Sequence, residues 1–345
     1  MGCVYNSFKA PFMTTNLTPE PQEESSVDVV LRPSSWKEYV GQEKIKDNLK
    51  IIIEAAQKRE EAMDHVLFAG PAGLGKTTLA YLVAKEMGVG ITTTSGPALE
   101  KLGDVAAILT NLEPKQILFI DEAHRVNHLV EEVLYPAMEA RKLHLIIGKG
   151  PSARTVSIDL PPFTILAATT RENLLSQPFR SRFGATLRLE YYSPENIRAI
   201  LKRSSQILGI QMEPEAIEIL SKAARATPRI ANRLLRRARD YAQVKNLKQI
   251  NVETAKKTLE LLDIDELGLE PQDRKLLNII IQKFNGGPVG LGTLAASLHE
   301  EKGVIEDIYE PYLMSLGFLQ RTSAGRIALP SSYEYLGIKR KGELL

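Results

Sequence analysis

Residues 65–80 read HVLFAGPAGLGKTTLA, and this stretch decides the fold. An apolar run, HVLFAG (65–70), leads into a glycine-rich turn, GPAGLGKT (70–77), which matches the phosphate-binding pattern G-x-x-x-x-G-K-[S/T]. A helix-like segment, TTLAYLVAKEM, follows the turn. Strand, loop and helix in this order are the context that the motif requires, because loop N–H groups and the helix N-terminus then face a phosphate. The stretch predicts a phosphate-loop NTPase.

Two further apolar runs, QILFID (116–121) and FTILAATT (163–170), resemble the first. Short apolar runs separated by helical or loop sequence are typical of buried parallel strands. Their alternation with helices predicts an α/β fold with a parallel sheet. The segment LHLIIGKGPSARTVSIDL (143–160) differs, because two alternating segments flank GKGPSA. It predicts a β-hairpin.

The rest of the chain divides by composition. Residues 195 to about 262 show only helical periodicity. The stretch DELGLEPQD (265–273) is typical of a linker. After short helices, GFLQRTSAGRIAL (317–329) predicts a small hairpin, which fits a winged helix. We therefore expect a disordered arm at 1–28, a large ATPase domain at 29–193, a helical lid at 194–265, a winged-helix domain at 266–337 and a tail at 338–345.

Composition excludes some classes of protein and leaves others open. The chain has 345 residues, a formal net charge of +2 and one cysteine, Cys3. One cysteine cannot form a disulfide within the chain, which suits a reducing cytoplasm. No apolar run approaches the roughly 18–20 residues that span a bilayer, and the first residues make a poor secretory signal. We expect a cytoplasmic protein, and the net charge neither requires nor excludes nucleic acid.

The phosphate-loop chemistry assigns roles to several side chains. Lys76 is expected to reach the β- and γ-phosphates of ATP, and the Thr77 hydroxyl to hold Mg²⁺. Asp121 ends a buried strand in ILFIDEAH (117–124) and suits the Mg²⁺-linked carboxylate, while Glu122 could polarise the attacking water. Taken alone, the two acids fit a helix N-terminus equally well.

Arginines cluster in three places, each open to two interpretations. Those in ATPRIANRLLRRARD (226–240) fit a solvated basic face, although Arg229 at a helix start, where the dipole disfavours it, suggests a phosphate contact. Arg321 and Arg326 flank the C-terminal turn and suit either DNA phosphates or solvent. In QPFRSRFG (177–184), the two arginines are either surface charges or one of them enters an active site.

Together these motifs resemble the RuvB family of AAA+ ATPases over about residues 29–337. The segments that carry the resemblance include LRPSSWKEYVGQ, TSGPALEKLGDVAAILTNLEP, LFIDEAHR, VEEVLYPAMEA, IIGKGPSART, TPRIANRLLRRARD, KFNGGPVGL and IEDIYEPYLMSLGFLQRT. Most of these are not required by general ATPase chemistry, so the resemblance is specific.

The resemblance implies an ATP-driven duplex DNA translocase for branch migration of Holliday junctions, in recombination, DNA repair and the SOS response to DNA damage. It implies a homohexameric ring around duplex DNA that uses ATP and Mg²⁺. It also implies a RuvA-like junction-binding partner docked on the 143–160 hairpin, with its apolar Leu145, Ile146 and Ile147, and a RuvC-like resolvase as a further partner.

The resemblance also implies residue roles. Thr170 corresponds to the first sensor, Arg229 to the second, and Arg182 to an arginine finger acting on a neighbouring subunit, with Arg180 the less suitable finger. The nucleotide-binding set is Leu31, Arg32, Gly73, Gly75, Lys76, Thr77, Thr78, Glu139, Ala140, Arg141, Tyr192 and Arg229. The DNA-binding set is Lys302, Arg321 and Arg326.

Some positions depart from the family pattern without removing a catalytic group. Ala72 replaces a proline in the phosphate loop, and QRTSAGR lacks one basic residue at the hairpin tip. Two other functions stay open from the residues themselves. One is a clamp-loader-like or protein-remodelling AAA+ ATPase, which the winged helix disfavours. The other is a DNA-binding module with negligible turnover, which intact Lys76, Asp121, Glu122 and Arg182 disfavour.

Overall fold

The computed structural model describes residues 26–147 and 154–339. They form a large α/β domain, a four-helix lid and a winged-helix domain. The expected N-terminal arm falls mostly outside the described residues, but its last part does not, because helix α1 already begins at Ser26. Within the described ranges, no helix combines the length and the apolar character needed to cross a bilayer.

A five-stranded parallel sheet organises the large domain, in the order β2-β3-β6-β1-β7. The three predicted apolar runs are its central strands β1, β3 and β6, whereas the two edge strands β2 and β7 were not predicted. The strands are β1 (Val66–Ala69), β2 (Ile91–Ser95), β3 (Ile117–Asp121), β6 (Thr164–Thr169) and β7 (Ala185–Arg188). Because β6 lies between β1 and β3, its carboxyl end lies between the glycine-rich turn and Asp121.

Helices cover both faces of the sheet, so the central strands are buried on both sides. On β1, Phe68 packs into one core and Leu67 into the other. The core that contains Phe68 continues into the lid, which joins the two domains through one apolar interior. The helices of this domain are α1 (Ser26–Leu31), α2 (Glu43–Arg59), α3 (Lys76–Met87), α4 (Leu102–Thr110), α5 (His128–Ala140) and α6 (Gln177–Arg180).

The predicted hairpin is present. Strands β4 (Lys142–Ile147) and β5 (Arg154–Asp159) pair antiparallel, from Lys142 opposite Asp159 to Ile147 opposite Arg154. Leu145 is half-buried and packs against the core of the large domain, so it is less free than an exposed apolar patch requires. The side chains of Ile146 and Ile147, and residues 148–153 at the tip, lie outside what the structure describes.

The lid is helical, as predicted, except for a two-residue parallel bridge. Its elements are α7 (Pro194–Ile207), β8 (Gln211–Met212), α8 (Pro214–Ala223), α9 (Pro228–Val244), β9 (Gln249–Ile250) and α10 (Val252–Leu261). Ser193 caps α7 and Asn251 caps α10, each accepting a backbone N–H from the first turn.

The C-terminal domain has the winged-helix arrangement, with its own apolar core. Helix α11 (Pro271–Asn278) continues through a π-helical turn (Ile279–Lys283), and α12 (Leu291–Leu298) follows. Next, α13 (Lys302–Val304), a π-helical turn (Ile305–Tyr309) and α14 (Glu310–Ser315) run together as helix 302–315. The hairpin β10 (Leu319–Thr322) and β11 (Gly325–Ala328) precedes α15 (Pro330–Leu336).

The segment 265–273 is not the loose linker that its composition suggested. Leu269 is fully buried, and the Asp265 carboxylate accepts N–H bonds from Leu267 and Leu269. Asp273, at its end, is also fully buried and pairs with Arg225 of the lid at 3.0 Å. The winged-helix domain is therefore fixed to the lid by packed and paired residues.

Candidate functional site

The glycine-rich turn connects the carboxyl end of β1 to the first residue of α3. Gly73 and Gly75 both adopt positive φ, +79° and +98°. A Cβ atom on Gly73 would lie 2.8 Å from Thr227 Cγ2, and one on Gly75 would lie 2.9 Å from the Tyr39 hydroxyl. Conformation and neighbours together therefore require glycine at both positions.

Lys76 lies inside this turn and bonds to its carbonyls. The ammonium is buried and donates to Gly70 O at 2.7 Å and to Pro71 O at 2.8 Å. Burial lowers the pKa of Lys76 to about 8, although Asp121 and Glu122 act in the opposite direction. A buried cation held only by neutral carbonyls is a strong attractor for a polyanion such as the phosphates of ATP.

Thr77 and Asp121 meet beside Lys76, as the sequence predicted. The Thr77 hydroxyl donates to Asp121 Oδ2 at 3.2 Å. No group of three or more His, Cys, Asp or Glu side chains suited to a metal occurs in the described part of the chain. One hydroxyl and one carboxylate fit Mg²⁺ as it binds in nucleotide sites, where phosphates and water supply the other ligands.

Glu122 follows Asp121 and faces the same space. Burial, and then the charge of Asp121, raise the pKa of Glu122. Glu122 precedes a short 3₁₀ helix, but its side chain makes no capping hydrogen bond, so the helix-cap interpretation fails for this residue. A half-exposed carboxylate with raised basicity suits a group that polarises water.

His124, which the sequence analysis did not single out, connects Glu122 to β6. His124 Nε2 lies 3.3 Å from Glu122 Oε2, and His124 Nδ1 lies 3.0 Å from the hydroxyl of the fully buried Thr169. Burial lowers the pKa of His124, and the neighbouring Arg171 lowers it further. Thr170, the residue predicted as the first sensor, follows directly at the strand end. The position of His124 just after the end of β3 was the signal that could have identified it.

Three other predicted nucleotide residues, Arg229, Tyr192 and Thr78, lie at the turn. Arg229 is exposed at the start of α9, and its backbone N–H donates to Gly73 O at 3.4 Å. The Tyr192 hydroxyl donates to Leu74 O in the turn at 3.1 Å. The hydroxyl of Tyr39, which the sequence analysis missed, donates to the same carbonyl. Leu31 is buried, Arg32 lies 4.6 Å from the Tyr81 ring, and Thr78 occupies the first turn of α3.

Arg182 lies near the amino ends of the sheet strands, opposite the carboxyl ends that carry Lys76 and Asp121. Gly184 N donates to His65 O, directly before β1, so this region meets the amino end of the strand whose carboxyl end leads into the phosphate loop. The guanidinium lies 4.2 Å from the Tyr135 ring centre and 3.2 Å from Glu139. Its Nε finds no hydrogen-bond partner among the described residues. Arg182 therefore takes no part in the phosphate site of its own chain.

Glu139, Ala140 and Arg141, which the resemblance assigns to nucleotide binding, lie beside Arg182 and not beside Lys76. Glu139 and Ala140 end α5, and Arg141 stacks on the Phe163 ring at 4.7 Å. The physical reason is the strand direction, because α5 runs back across the sheet and ends beside the amino end of β1. Within one chain these three residues lie with Arg182, away from the glycine-rich turn.

The C-terminal arginines are bound more tightly than exposed hairpin charges would be. Arg326 is buried and donates to Glu310 at 2.7 Å and to Glu306 at 3.2 Å. Arg321, half-exposed, also bonds to Glu310, which is fully buried. Both arginines of the wing are therefore paired with a carboxylate of helix 302–315. Lys302, at the start of helix 302–315, is exposed.

The basic stretch of α9 fits the interpretation as a solvated basic face. Arg233 pairs with Glu270 at 2.5 Å, and Arg237 pairs with Asp240 at 3.2 Å. These are partly exposed ion pairs and need no further role.

Family models match almost the whole described chain. The Holliday junction DNA helicase RuvB P-loop domain matches residues 31–189, the RuvB AAA lid domain matches 192–265, and the RuvB C-terminal winged helix domain matches 266–337.

Solved structures agree with these matches. The RuvB Holliday junction branch migration motor of Thermotoga maritima is 47% identical, with a TM-score of 0.83, over 90% of this chain and 99% of that one. Two single-substitution variants of the Thermotoga protein match at the same identity, with TM-scores of 0.83 and 0.84. The three matched domains, the solved structures and the phosphate site show that this chain belongs to the RuvB family of Holliday junction DNA helicases and is an ATP-hydrolysing motor.

Proposed function

We propose that the chain forms a homohexameric ring that hydrolyses ATP with Mg²⁺ to pull duplex DNA and so drive branch migration of Holliday junctions. In the cell it acts in the cytoplasm during recombination and repair of damaged DNA. The observation that carries the proposal is the position of Arg182 at the sheet edge opposite its own Lys76. An arginine that belongs to the reaction but cannot reach its own site requires a second copy.

Each residue of the phosphate site has one task in this proposal. Lys76 exchanges its bonds to Gly70 and Pro71 for bonds to the β- and γ-phosphates. Thr77 and Asp121 hold Mg²⁺, which when bound neutralises developing phosphate charge. Glu122 orients and polarises the attacking water, and Thr170 contacts the same water or the γ-phosphate. Arg229 adds a lid contact to the phosphates.

The neighbouring subunit supplies the remaining charge. Arg182 of one copy reaches the γ-phosphate bound by the next, as arginine fingers do. Glu139, Ala140 and Arg141 lie beside Arg182 and contribute to the same interface. A head-to-tail contact of this kind joins two different surfaces of one chain, and such contacts form a ring when the rotation between subunits closes.

Mixing two inactive variants tests whether the finger acts between subunits. Lys76→Ala and Arg182→Ala rings are each expected to lose ATPase activity, the latter on the order of a thousandfold. Mixed rings should recover up to about a quarter of the wild-type rate, since random assembly places an intact phosphate loop against an intact finger at about one interface in four. Arg180→Ala is the matched control and should stay active alone. No recovery on mixing would exclude action between subunits.

DNA and partner contacts complete the proposal. We assign duplex contact to Lys302 and to the exposed part of Arg321, with Arg326 holding the wing. We assign the 143–160 hairpin to a RuvA-like junction-binding protein, and a RuvC-like resolvase joins the assembly. A synthetic four-way junction should migrate only with ATP and the RuvA-like partner. If duplex DNA does not stimulate ATPase activity and no junction migrates, the motor function is wrong.

A further inference from the structure

One chain of polar contacts leaves the nucleotide site and continues past β6. The Arg171 N–H donates to the Thr169 hydroxyl at 3.0 Å, and that hydroxyl lies 3.0 Å from His124 Nδ1. One proton arrangement that satisfies every contact has Arg171 N–H donating to Thr169, Thr169 O–H to His124 Nδ1, and His124 Nε2–H to Glu122. This arrangement needs a neutral imidazole, which agrees with the lowered pKa of His124.

The side chain of Arg171 extends the chain into the winged-helix domain. Its Nε donates to Asp307, its Nη2 donates to Gly303 O at 3.3 Å, and Glu306 lies 3.8 Å away. All three partners belong to helix 302–315, which begins at Lys302. One arginine thus connects the strand end beside Glu122 to the first turns of the helix proposed to contact DNA.

Glu306 carries the connection on to the wing. Its Oε2 faces Arg171, while its Oε1 accepts from Arg326 Nη2 at 3.2 Å. Arg326 in turn shares Glu310 with Arg321 on the β10–β11 hairpin. The helix therefore contacts Arg171 directly, and the wing is connected to Arg171 through Glu306, across the boundary between two domains.

We propose that Arg171 is a positioning residue that transmits DNA binding at the winged helix to Glu122 through Thr169 and His124. The inference rests on the proposed function, in that duplex DNA is the ligand of the winged helix. DNA phosphates near Lys302 and Arg321 compete with Glu306 and Glu310 for Arg321 and Arg326. This competition changes how strongly Glu306 attracts Arg171. Arg171 and Asp307 are both partly exposed, so their pair can break and reform as phosphates arrive and leave.

Asp307→Asn tests the link from its far end, because this residue lies outside the catalytic and DNA-binding sets. Basal kcat, the KM for ATP and the Kd for duplex DNA are expected to stay within about twofold of wild type. The stimulation of kcat by DNA is expected to fall about fivefold or more, the lower end of typical coupling between two sites. Exchanging the pair in an Arg171→Asp/Asp307→Arg variant should restore part of the stimulation. Glu334→Gln, an exposed carboxylate on α15 with the same charge change, is the control.

A second measurement does not depend on DNA. Hydrogen exchange of helix 302–315 should slow when a non-hydrolysable ATP analogue binds wild type, and this difference should vanish in Asp307→Asn. If wild type shows the difference but no DNA stimulation, the motor function fails and the link stands. If the analogue leaves exchange unchanged in wild type, or if Asp307→Asn keeps full DNA stimulation, the link is wrong.

Discussion

Among the ion pairs that attach the winged-helix domain to the rest of the chain, two Arg–Asp pairs differ in their surroundings. Arg225 of the lid meets Asp273 at 3.0 Å, with 7% of the arginine and none of the aspartate side chain exposed. Arg171 of the ATPase domain meets Asp307 with 24% and 35% exposed. The same two residue types thus make one dry contact and one wet contact between the same domain and its neighbours.

The difference in burial assigns the two pairs different tasks. Arg225 also lies 4.5 Å from the Tyr312 ring, and Asp273 accepts the Glu270 N–H at the start of α11, so either partner alone would be a stranded charge. The exposed pair can exchange with water or phosphate at little cost. We infer that the lid contact holds the winged helix in place, whereas the ATPase contact can change during turnover.

Arg225→Met should have the largest effect, because it removes a charge while keeping volume. It leaves Asp273 buried without its cation, which is expected to cost about 3–5 kcal/mol of unfolding free energy. Denaturant unfolding at pH 7 measures this loss. Burial already raises the pKa of Asp273, and losing Arg225 raises it further, so the loss should shrink as pH falls and the carboxyl becomes neutral.

The matched control is Arg198→Met. Arg198 pairs with Glu195 and Glu218 on the lid, where all three side chains are at least one-third exposed. Its loss should cost no more than about 1 kcal/mol. If Arg225→Met costs no more than this control, burial does not distinguish the two inter-domain pairs.

The sequence predicted the central sheet well, because β1, β3 and β6 are short apolar runs that only a doubly covered sheet can bury. It missed β2 and β7, whose polar residues at the sheet edges carry no such signal. Lys76, Thr77 and Asp121 were predictable because their motif fixes local geometry. The pair between Arg225 and Asp273 was not, since 48 residues separate its members and DELGLEPQD has the composition of a linker.

The C-terminal arginines show the same limit. Arg321 and Arg326 fit a DNA-binding wing by local pattern, but Glu310, the carboxylate that holds both, lies a helix away in sequence. A buried acid attracts whichever cations the fold brings near it, and a local pattern cannot show this competition. Position just after a strand end, by contrast, could have identified His124.

Arg326→Met should have an intermediate effect on stability. Glu310 is fully buried, but Arg321 stays bonded to it, so the remaining charge is only partly stranded. We expect a loss of about 1–3 kcal/mol of unfolding free energy. The Arg321→Met/Arg326→Met double variant should lose more than the sum of the two single changes, because it alone leaves Glu310 without a cation. Additive losses would mean that the two arginines do not share this carboxylate.

Asp307→Asn should have the smallest effect on stability. Its pair with Arg171 is partly exposed, and the amide can still accept a hydrogen bond, so the unfolding free energy should fall by less than about 1 kcal/mol. Raising the salt concentration should reduce even this difference, because exposed charges are screened, while the cost of Arg225→Met should change little. Unfolding at low and high salt measures both. A loss for Asp307→Asn as large as that for Arg225→Met would show that the ATPase contact is a second fixed attachment, which could not exchange during turnover.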